Sequence, residues 1–360
     1  MSNPKLKVMI DKGNAPPHTG IGNYSDGIIH ALQSYCSEQI DVIPSPIHDG
    51  AHSIRPIRRL RYLFRLRKLS VEMFRGADIV HFTNVFVPPR ILNTAYVVTI
   101  HDLDAIQFPR TYSWSYRMYY EKIIEYAVSR ADIILTVSQA VKILLENRFP
   151  CAVDKIRVIA NGLSPTFMSL ANDNTSRHEF NAPYMLFVGS LSKKKNTSWL
   201  IRTTINGIRN GIIPKLKLVL AGTAGYGFQE IAPLLKYEND IVCWVQNPDL
   251  PHLVSLYRES NLVILPSQTE GFGIPLLEAM YCKKPIVASD IPSSREVAGD
   301  AASFFELGNV QSFYDAIIDA LNDRNRIKRN LFIDRELPRY FWQNLAREYC
   351  LIYNEAKCRH

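Results

Sequence analysis

Short, continuous runs of apolar and largely β-branched residues alternate with amphipathic segments along almost the whole chain. In the first half these runs fall at 7–11, 40–43, 78–81, 96–100, 132–137 and 156–159; in the second at 184–188, 216–220, 241–245, 262–265, 285–288 and 302–305. They do not alternate apolar with polar positions, which is the pattern of parallel strands buried on both faces. Helical spacing fills the intervals, for example over 113–130, 250–260 and 273–282. Strand–helix alternation repeated this often predicts an α/β protein of doubly wound parallel sheets. The stretch SPTFMSLANDNTSRHEFN (164–181) is polar, lacks a strand pattern and separates two groups of six runs. The expected domains are therefore 1–164 and 183–340 with a cleft between them, a linker over 165–182, and a last helix over 341–360. Ligands of such sheets lie beyond the carboxyl ends of the strands, so chemistry is to be sought directly after each run.

Composition narrows the class. With 360 residues, 47% apolar and 21% charged, the chain is long enough for two globular domains of this Rossmann-like kind. No apolar run approaches the roughly 18–20 residues of a membrane span. The opening MSNPKLKV is too polar for a signal peptide, so a cytoplasmic location is expected. Six cysteines are scattered without C-x-x-C or zinc-finger spacing, which reads as reduced thiols, mostly buried. The net charge of +8 is concentrated: residues 51–100 hold nine Arg or Lys against only Glu72 and Asp78. Between Arg55 and Arg75 the basic residues interleave with Ile57, Leu60, Leu63 and Phe64 at helical spacing. Two readings of this basic amphipathic helix stand open: attachment to an anionic membrane surface, or packing of its apolar stripe on its own domain. Few aromatics and no RNA-binding or zinc-finger signature argue against nucleic acid.

Four post-strand segments carry candidate chemistry. After the first run, Gly20 and Gly22 precede a helix, where glycines let backbone N–H groups approach a phosphate or sugar. Ser25 stands where a dinucleotide fingerprint needs its third glycine, and a plain turn explains the pair almost as well. After the fourth run, His101 faces the expected cleft, able to hydrogen-bond a substrate hydroxyl. Asp102-Leu-Asp104 has no further carboxylates nearby to complete a metal shell, so no metal is expected. After the seventh run, Gly189 and Ser190 lead to Lys193, Lys194 and Lys195 ahead of a helix. Cations at a helix N-terminus repel its dipole, and an anionic ligand such as phosphate is expected to relieve the clash. After the tenth run, EGFGIPLLE places Glu270 in a glycine loop with its carboxylate free for hydroxyls. Gly273 and Pro275 fix where the next helix starts, and Glu278 lies a turn inside it. Two such carboxylates suit a hydroxyl-rich ligand.

In this form, 270–278 resembles the E-x7-E signature of the retaining GT-B glycosyltransferases of family 4. The resemblance extends to TGIGNY (19–24), TIHDLDAIQFP (99–109), TVSQAVK (136–142), ANGLS (160–164), FVGSLSKKKN (187–196) and DIPSSREVAGDAASFF (290–305), in the right order. It implies a GT-B fold in which Lys195, with Ser190 and Lys194 in its loop, binds the donor diphosphate. Glu270 would hold the transferred sugar, with the backbone N–H groups of Phe272 and Gly273 facing it and Ile274 beside them in the donor site. Glu278 would hold the ribose, His101 would contact the sugar, and Gly20 and Gly22 would lie against the diphosphate. The last helix would pack back on the first domain. Two departures stand out: Ser190 replaces the arginine of many members, leaving Lys193 or Lys194 as the second cation, and Ser164 replaces an aspartate.

The activity so implied is metal-independent transfer of a sugar, with retention, from a nucleoside diphosphate to a glycan hydroxyl. The donor is a substrate, and no cofactor is implied. GDP-mannose is favoured and a UDP-sugar is the alternative. The acceptor would be a polyprenyl-diphosphate-linked glycan of O-antigen or surface polysaccharide, reached peripherally on the cytoplasmic membrane through the basic segment. A GT-B sugar-nucleotide epimerase and a non-catalytic sugar-nucleotide-binding partner are the competing readings.

Overall fold

Each apolar run becomes a strand, because a segment buried on both faces can satisfy its backbone only through neighbouring strands. The computed structural model describes residues 4–12, 20–43, 74, 76–90, 93–108, 112, 114–173, 180, 182–237 and 240–360. The basic segment between Arg55 and Arg75, apart from Phe74, lies outside the described residues, as do residues 13–19 and 174–179. Along the chain run β1 (Leu6–Asp11), α1 (Gly20–Tyr35), β2 (Ile40–Ile43), β3 (Ile79–Phe82), β4 (Ala95–Ile100), α2 (Asp104–Gln107), α3 (Trp114–Arg130), β5 (Ile133–Thr136), α4 (Gln139–Arg148) and β6 (Ile156–Val158). There follow α5 (Pro165–Asn172), β7 (Tyr184–Val188), α6 (Thr197–Arg209), β8 (Lys217–Gly222), α7 (Ala232–Tyr237), β9 (Val242–Gln246), α8 (Leu250–Glu259), β10 (Leu262–Leu265) and α9 (Ile274–Tyr281). The chain ends with β11 (Ile286–Ser289), α10 (Pro292–Ala298), β12 (Ala302–Phe305), α11 (Val310–Ala320), α12 (Arg326–Glu336) and α13 (Trp342–Arg359).

Two compact units result. The first comprises residues 1–162 and 339–360, the second 163–338. Each holds a six-stranded parallel sheet, ordered β2-β1-β3-β4-β5-β6 in the first and β12-β11-β10-β7-β8-β9 in the second. The linker expected over 165–182 needs correction at its start. Ser164 caps α5 by accepting the Phe167 N–H, Pro165 sits in the first turn, and Phe167 is fully buried against Tyr257. Polar composition hid a short capped helix that belongs to the second unit. The cysteines are free, but only Cys36 and Cys350 are buried; Cys151 and Cys358 are exposed. Among the described residues, no helix is long and apolar enough to cross a membrane.

The last helix is part of the first unit. Arg157 forks onto Glu355 at 2.6 and 3.1 Å, and Lys357 pairs with Asp78 at 2.8 Å. Beneath these ion pairs runs a buried polar seam. His81 in β3 lies 2.8 Å from the Thr99 hydroxyl and 2.9 Å from that of Tyr353, while Tyr349 donates to Tyr24 at 3.0 Å. Burial pushes the His81 pKa down to about 3, so the ring is neutral.

Trp342 closes α13 over Gly27 of α1 and Gly162. A Cβ on Gly27 would stand 2.1 Å from the indole. Ala is worth about 1 kcal/mol over Gly inside a helix, whereas overpacking a filled site costs about 1–3 kcal/mol. The clash wins, so Gly27→Ala is expected to lower the urea unfolding midpoint. A raised midpoint would show that the indole moves aside freely.

Candidate functional site

The second sheet grows outward from β7 in both directions: β8 and β9 on one side, β10 to β12 on the other. Neighbouring strands at such a switch point send their loops apart, and ligands bind in the opening. The two loops are 189–196, after β7, and 266–273, after β10, so Lys195 and Glu270 flank it.

Backbone constraints shape the first loop. Gly222, at the end of β8, leaves no room for a side chain, since a Cβ there would lie 2.1 Å from the Gly189 carbonyl oxygen. Leu191 and Lys193 donate their N–H groups to Thr223 and Tyr226 at 2.8 and 3.0 Å, and left-handed Asn196 (φ 54°) opens α6. The loops are tied together by the Gln268 N–H, which donates to the Lys194 carbonyl at 2.9 Å. Across the same join the Lys195 ammonium donates to Glu270 Oε1, which also accepts the Ser267 hydroxyl at 2.6 Å. The two charged side chains are only 17% and 9% exposed. Burial would raise the Glu270 pKa, but the charges of Lys195 and Lys194 and the hydrogen bonds from Lys195 and Ser267 outweigh it and hold it below the usual value.

This geometry corrects two expectations. The Glu270 carboxylate is not free: so deeply buried a charge must be paired, and Lys195 pairs it. Nor does the lysine run require a ligand for relief, because Lys193 pairs with Glu230 at 2.5 Å and Lys195 with Glu270. Lys193 is thereby engaged away from the pair, whereas Lys194 lies close enough for its charge to act on Glu270. Ser190 meets Ser192, hydroxyl to hydroxyl, at 3.3 Å.

Gly273 takes φ 101°, caps α9 from its N-terminal side, and is followed by Ile274 and Pro275 in the first turn. Phe272 is buried. Glu278, a turn into α9, accepts a hydrogen bond from the buried Tyr257 hydroxyl at 2.7 Å. Burial raises its pKa to about 7, with the Tyr257 bond pulling the other way. Tyr257 and Ser267 escaped sequence reasoning. Ser267 sits just past a strand end, but nothing in a lone tyrosine of α8 announces its partner.

In the first unit Gly20 opens α1 and Gly22 lies buried in its first turn, so they belong to the helix rather than to a loop before it. Ser25 Oγ holds this turn against β3, donating to the Ile21 carbonyl at 2.9 Å and lying 2.8 Å from the Thr83 hydroxyl. His101 follows β4 with Nε2 3.0 Å from the Thr83 carbonyl oxygen. A carbonyl only accepts, so Nε2 carries the proton and Nδ1 is the acceptor nitrogen of the neutral ring. Burial keeps the ring neutral by lowering its pKa, against the Thr83 bond and the Asp102 charge. The Tyr24 ring meets it edge-on at 4.9 Å. Asp102 Oδ1 accepts the Asp104 N–H at 3.3 Å, a turn contact.

Two family models match the chain in succession: Glycosyltransferase Family 4 over 28–167 and Glycosyl transferases group 1 over 171–335. The chain belongs to these glycosyltransferases. Among curated relatives of the family, it is 25% identical over 346 residues to O-antigen chain mannosyltransferase B of Escherichia coli, covering 85% of this chain and 88% of that one. It is also 25% identical over 295 residues to O-antigen chain mannosyltransferase RfbU of Salmonella typhimurium, covering 82% and 78%. Among solved structures, sucrose-phosphate synthase of Thermosynechococcus elongatus superposes with a TM-score of 0.69 at 18% identity over 98% of both chains. The fold is that of the GT-B glycosyltransferases.

The pair and the buried carboxylate make separable predictions. Lys195→Met strands Glu270 as a buried charge, at an expected cost of about 3–5 kcal/mol. Lys195→Met/Glu270→Gln recovers most of that stability. Urea unfolding of the wild type, the two single variants and the double variant checks the coupling, and simple additivity would refute it. For Glu278 the folded pKa of about 7 lies above the ordinary value of 4.5. The folded state thus keeps the proton longer, and stability falls as pH rises from about 4.5 to about 7, then levels off. Glu278→Gln removes this cost, so its melting-temperature advantage over wild type should grow across that window. A pH-independent difference would contradict it.

Proposed function

We propose that the protein transfers mannose from GDP-mannose, without a metal and with retention of anomeric configuration, to a hydroxyl of a lipid-linked O-antigen or surface-polysaccharide glycan. The buried Lys195–Glu270 pair at the β7/β10 switch point carries the reading; the two O-antigen mannosyltransferase relatives favour the sugar and the class of product. In this reaction the bond from the anomeric carbon to the diphosphate oxygen breaks and its electron pair leaves with the diphosphate. Lys195 and the N-terminus of α6 stabilise the growing charge. As Lys195 turns to the diphosphate, Glu270 Oε1 is released to accept hydroxyls of the sugar. The acceptor hydroxyl bonds to the anomeric carbon on the face the diphosphate leaves, and its proton passes to a diphosphate oxygen. No carboxylate nucleophile is needed, in contrast to retaining glycosidases. His101 accepts a sugar hydroxyl through Nδ1, and Glu278 accepts the ribose hydroxyls. The basic segment from Arg55 to Arg75 serves as the contact with an anionic membrane.

The first test is thermal stabilisation by GDP, UDP, dTDP and ADP, where a ligand at 100 times its Kd adds about 2.7 kcal/mol. GDP is expected to win. UDP winning would move the donor to another sugar class, and no response to any diphosphate would overturn the donor-site roles of Lys195 and Glu278. Incubation of GDP-mannose with a polyprenyl-diphosphate-linked glycan, followed by NMR of the product's anomeric centre, then reads transfer and retention directly. Conversion of the donor without acceptor would indicate an epimerase instead. Lys195→Met is expected to lower kcat by about 10²–10³, or about 2.7–4 kcal/mol. Because ribose hydroxyls donate to the charged carboxylate, GDP should bind more tightly as pH rises through about 7. Tyr257→Phe removes a bond that lowers the Glu278 pKa, so it should move that midpoint upward.

A further inference from the structure

We propose that the second unit binds a small phosphorylated molecule in a cavity at the amino-terminal ends of β10 and β11, the end of the sheet opposite to Lys195 and Glu270. The cavity measures about 340 Å³ and is walled by the residues just before β10 (Ser260, Asn261), those just before β11 (Lys283, Lys284) and one face of α12. That volume falls at the lower end of the roughly 300–1,000 Å³ typical of small-molecule sites, which suits a phosphate monoester of sugar or triose size better than a lipid.

The wall is cationic and donor-rich. Lys283, Lys284, Arg326 and Arg329 line it, against one lining carboxylate among the described residues, that of Asp323. Arg329, 9% exposed, is locked in place by Asp319 Oδ2 at 2.6 Å, Ser303 Oγ at 2.7 Å and two backbone carbonyls, and so forms a fixed base to the site. Arg326 pairs with Asp323 at 3.2 Å and Lys283 with Asp334, but these are exposed pairs, worth about 0–1 kcal/mol and easily exchanged for another anion. Lys284 is different. It is partly buried, and among the described residues its ammonium makes no hydrogen bond or ion pair. Burial pulls its pKa below the usual lysine value. Part of its surface stays in water, and Glu259 and Cys282 act on it only through space; a phosphoryl group in the cavity gives the ammonium a direct ionic partner. Asn261 turns its side-chain oxygen to the Tyr184 N–H at 3.0 Å, and its amide nitrogen adds two donors to the wall. The first turn of α12 adds Arg326 and Lys328, whose partners Asp323 at 3.2 Å and Asp300 at 3.9 Å are surface carboxylates.

The contrast with the lysines of the β7 loop is instructive. There Lys193 and Lys195 each meet a carboxylate directly, whereas Lys284 feels Glu259 only through space. The donor-site reading plays no part in this argument.

Calorimetric titration with inorganic phosphate and with glycerol 3-phosphate, in phosphate-free buffer, tests the proposal. Wild type and Lys195→Met/Glu270→Gln are expected to bind the monoester alike. Lys284→Met is expected to bind it at least about tenfold more weakly, about 1.4 kcal/mol, with Lys284→Arg recovering part of the loss. Because Lys284→Met removes an unpaired, part-buried charge, its ligand-free melting temperature should not drop. Arg326→Ala, at an exposed position, provides a second weakening variant that leaves the core intact. The proposal is overturned if wild type binds neither probe, or if binding is lost in the Lys195/Glu270 variant and kept in Lys284→Met. It also fails if Lys284 matters only for sedimentation with phosphatidylglycerol vesicles, which would make the occupant a lipid headgroup.

Discussion

A parallel strand covered on both faces by helices has almost no place along its length for a charged group. Every β7 and β10 side chain but that of Val188 is fully buried, and a charge among them would face a desolvation cost of several kcal/mol. The chemistry of the second unit is therefore displaced to the strand ends. Lys195 and Glu270 stand past the carboxyl ends, Asn261 and Lys284 before the amino ends. At the carboxyl ends the burial is deep enough that charge must be matched within the protein, as Lys195 and Glu270 are. At the amino ends Lys284 is only partly buried and shares its charge with water.

The same constraint explains what the sequence could reveal. Continuous burial on both faces imposes continuous apolar runs, so the inner strands could be read from hydropathy, while the half-exposed edge strands β2, β6, β9 and β12 could be read from their β-branched and aromatic residues. The E-x7-E spacing could be read too, because Gly273 and Pro275 fix the first turn of α9 and hence where Glu278 falls. Pairing could not be read. Nothing in the linear order says that the lysine six residues after a glycine meets a carboxylate 75 positions later, or that Tyr257 of α8 reaches Glu278 of α9. Those contacts follow from strand order, which places β10 beside β7, and a run of apolar residues carries no record of its neighbours. Polarity misled at 165–172, where a capped helix with one buried aromatic looks like a linker.

The first unit breaks the rule in an informative way. His81 sits within β3 and is wholly buried, yet it carries no charge, because burial keeps the imidazole neutral and two hydroxyls occupy both of its nitrogens. Neutral polar groups can enter such a sheet when every donor and acceptor is met. The seam they form gives α13 a specific seat: Tyr349 and Tyr353 each place a hydroxyl where an apolar helix face would leave the Tyr24–Thr99–His81 groups unanswered.

That seat has a consequence for how the chain acquires its structure during synthesis. His81 and Tyr353 are 272 residues apart, and the whole second unit lies between them in the chain. As the chain leaves the ribosome, residues 163–338 have all their own strands and can close their sheet while the first unit still lacks its final helix. The usual amino-to-carboxyl order of domain completion is open to inversion here. The groove in the earliest-made sheet can be filled only by a segment synthesised after the whole second unit.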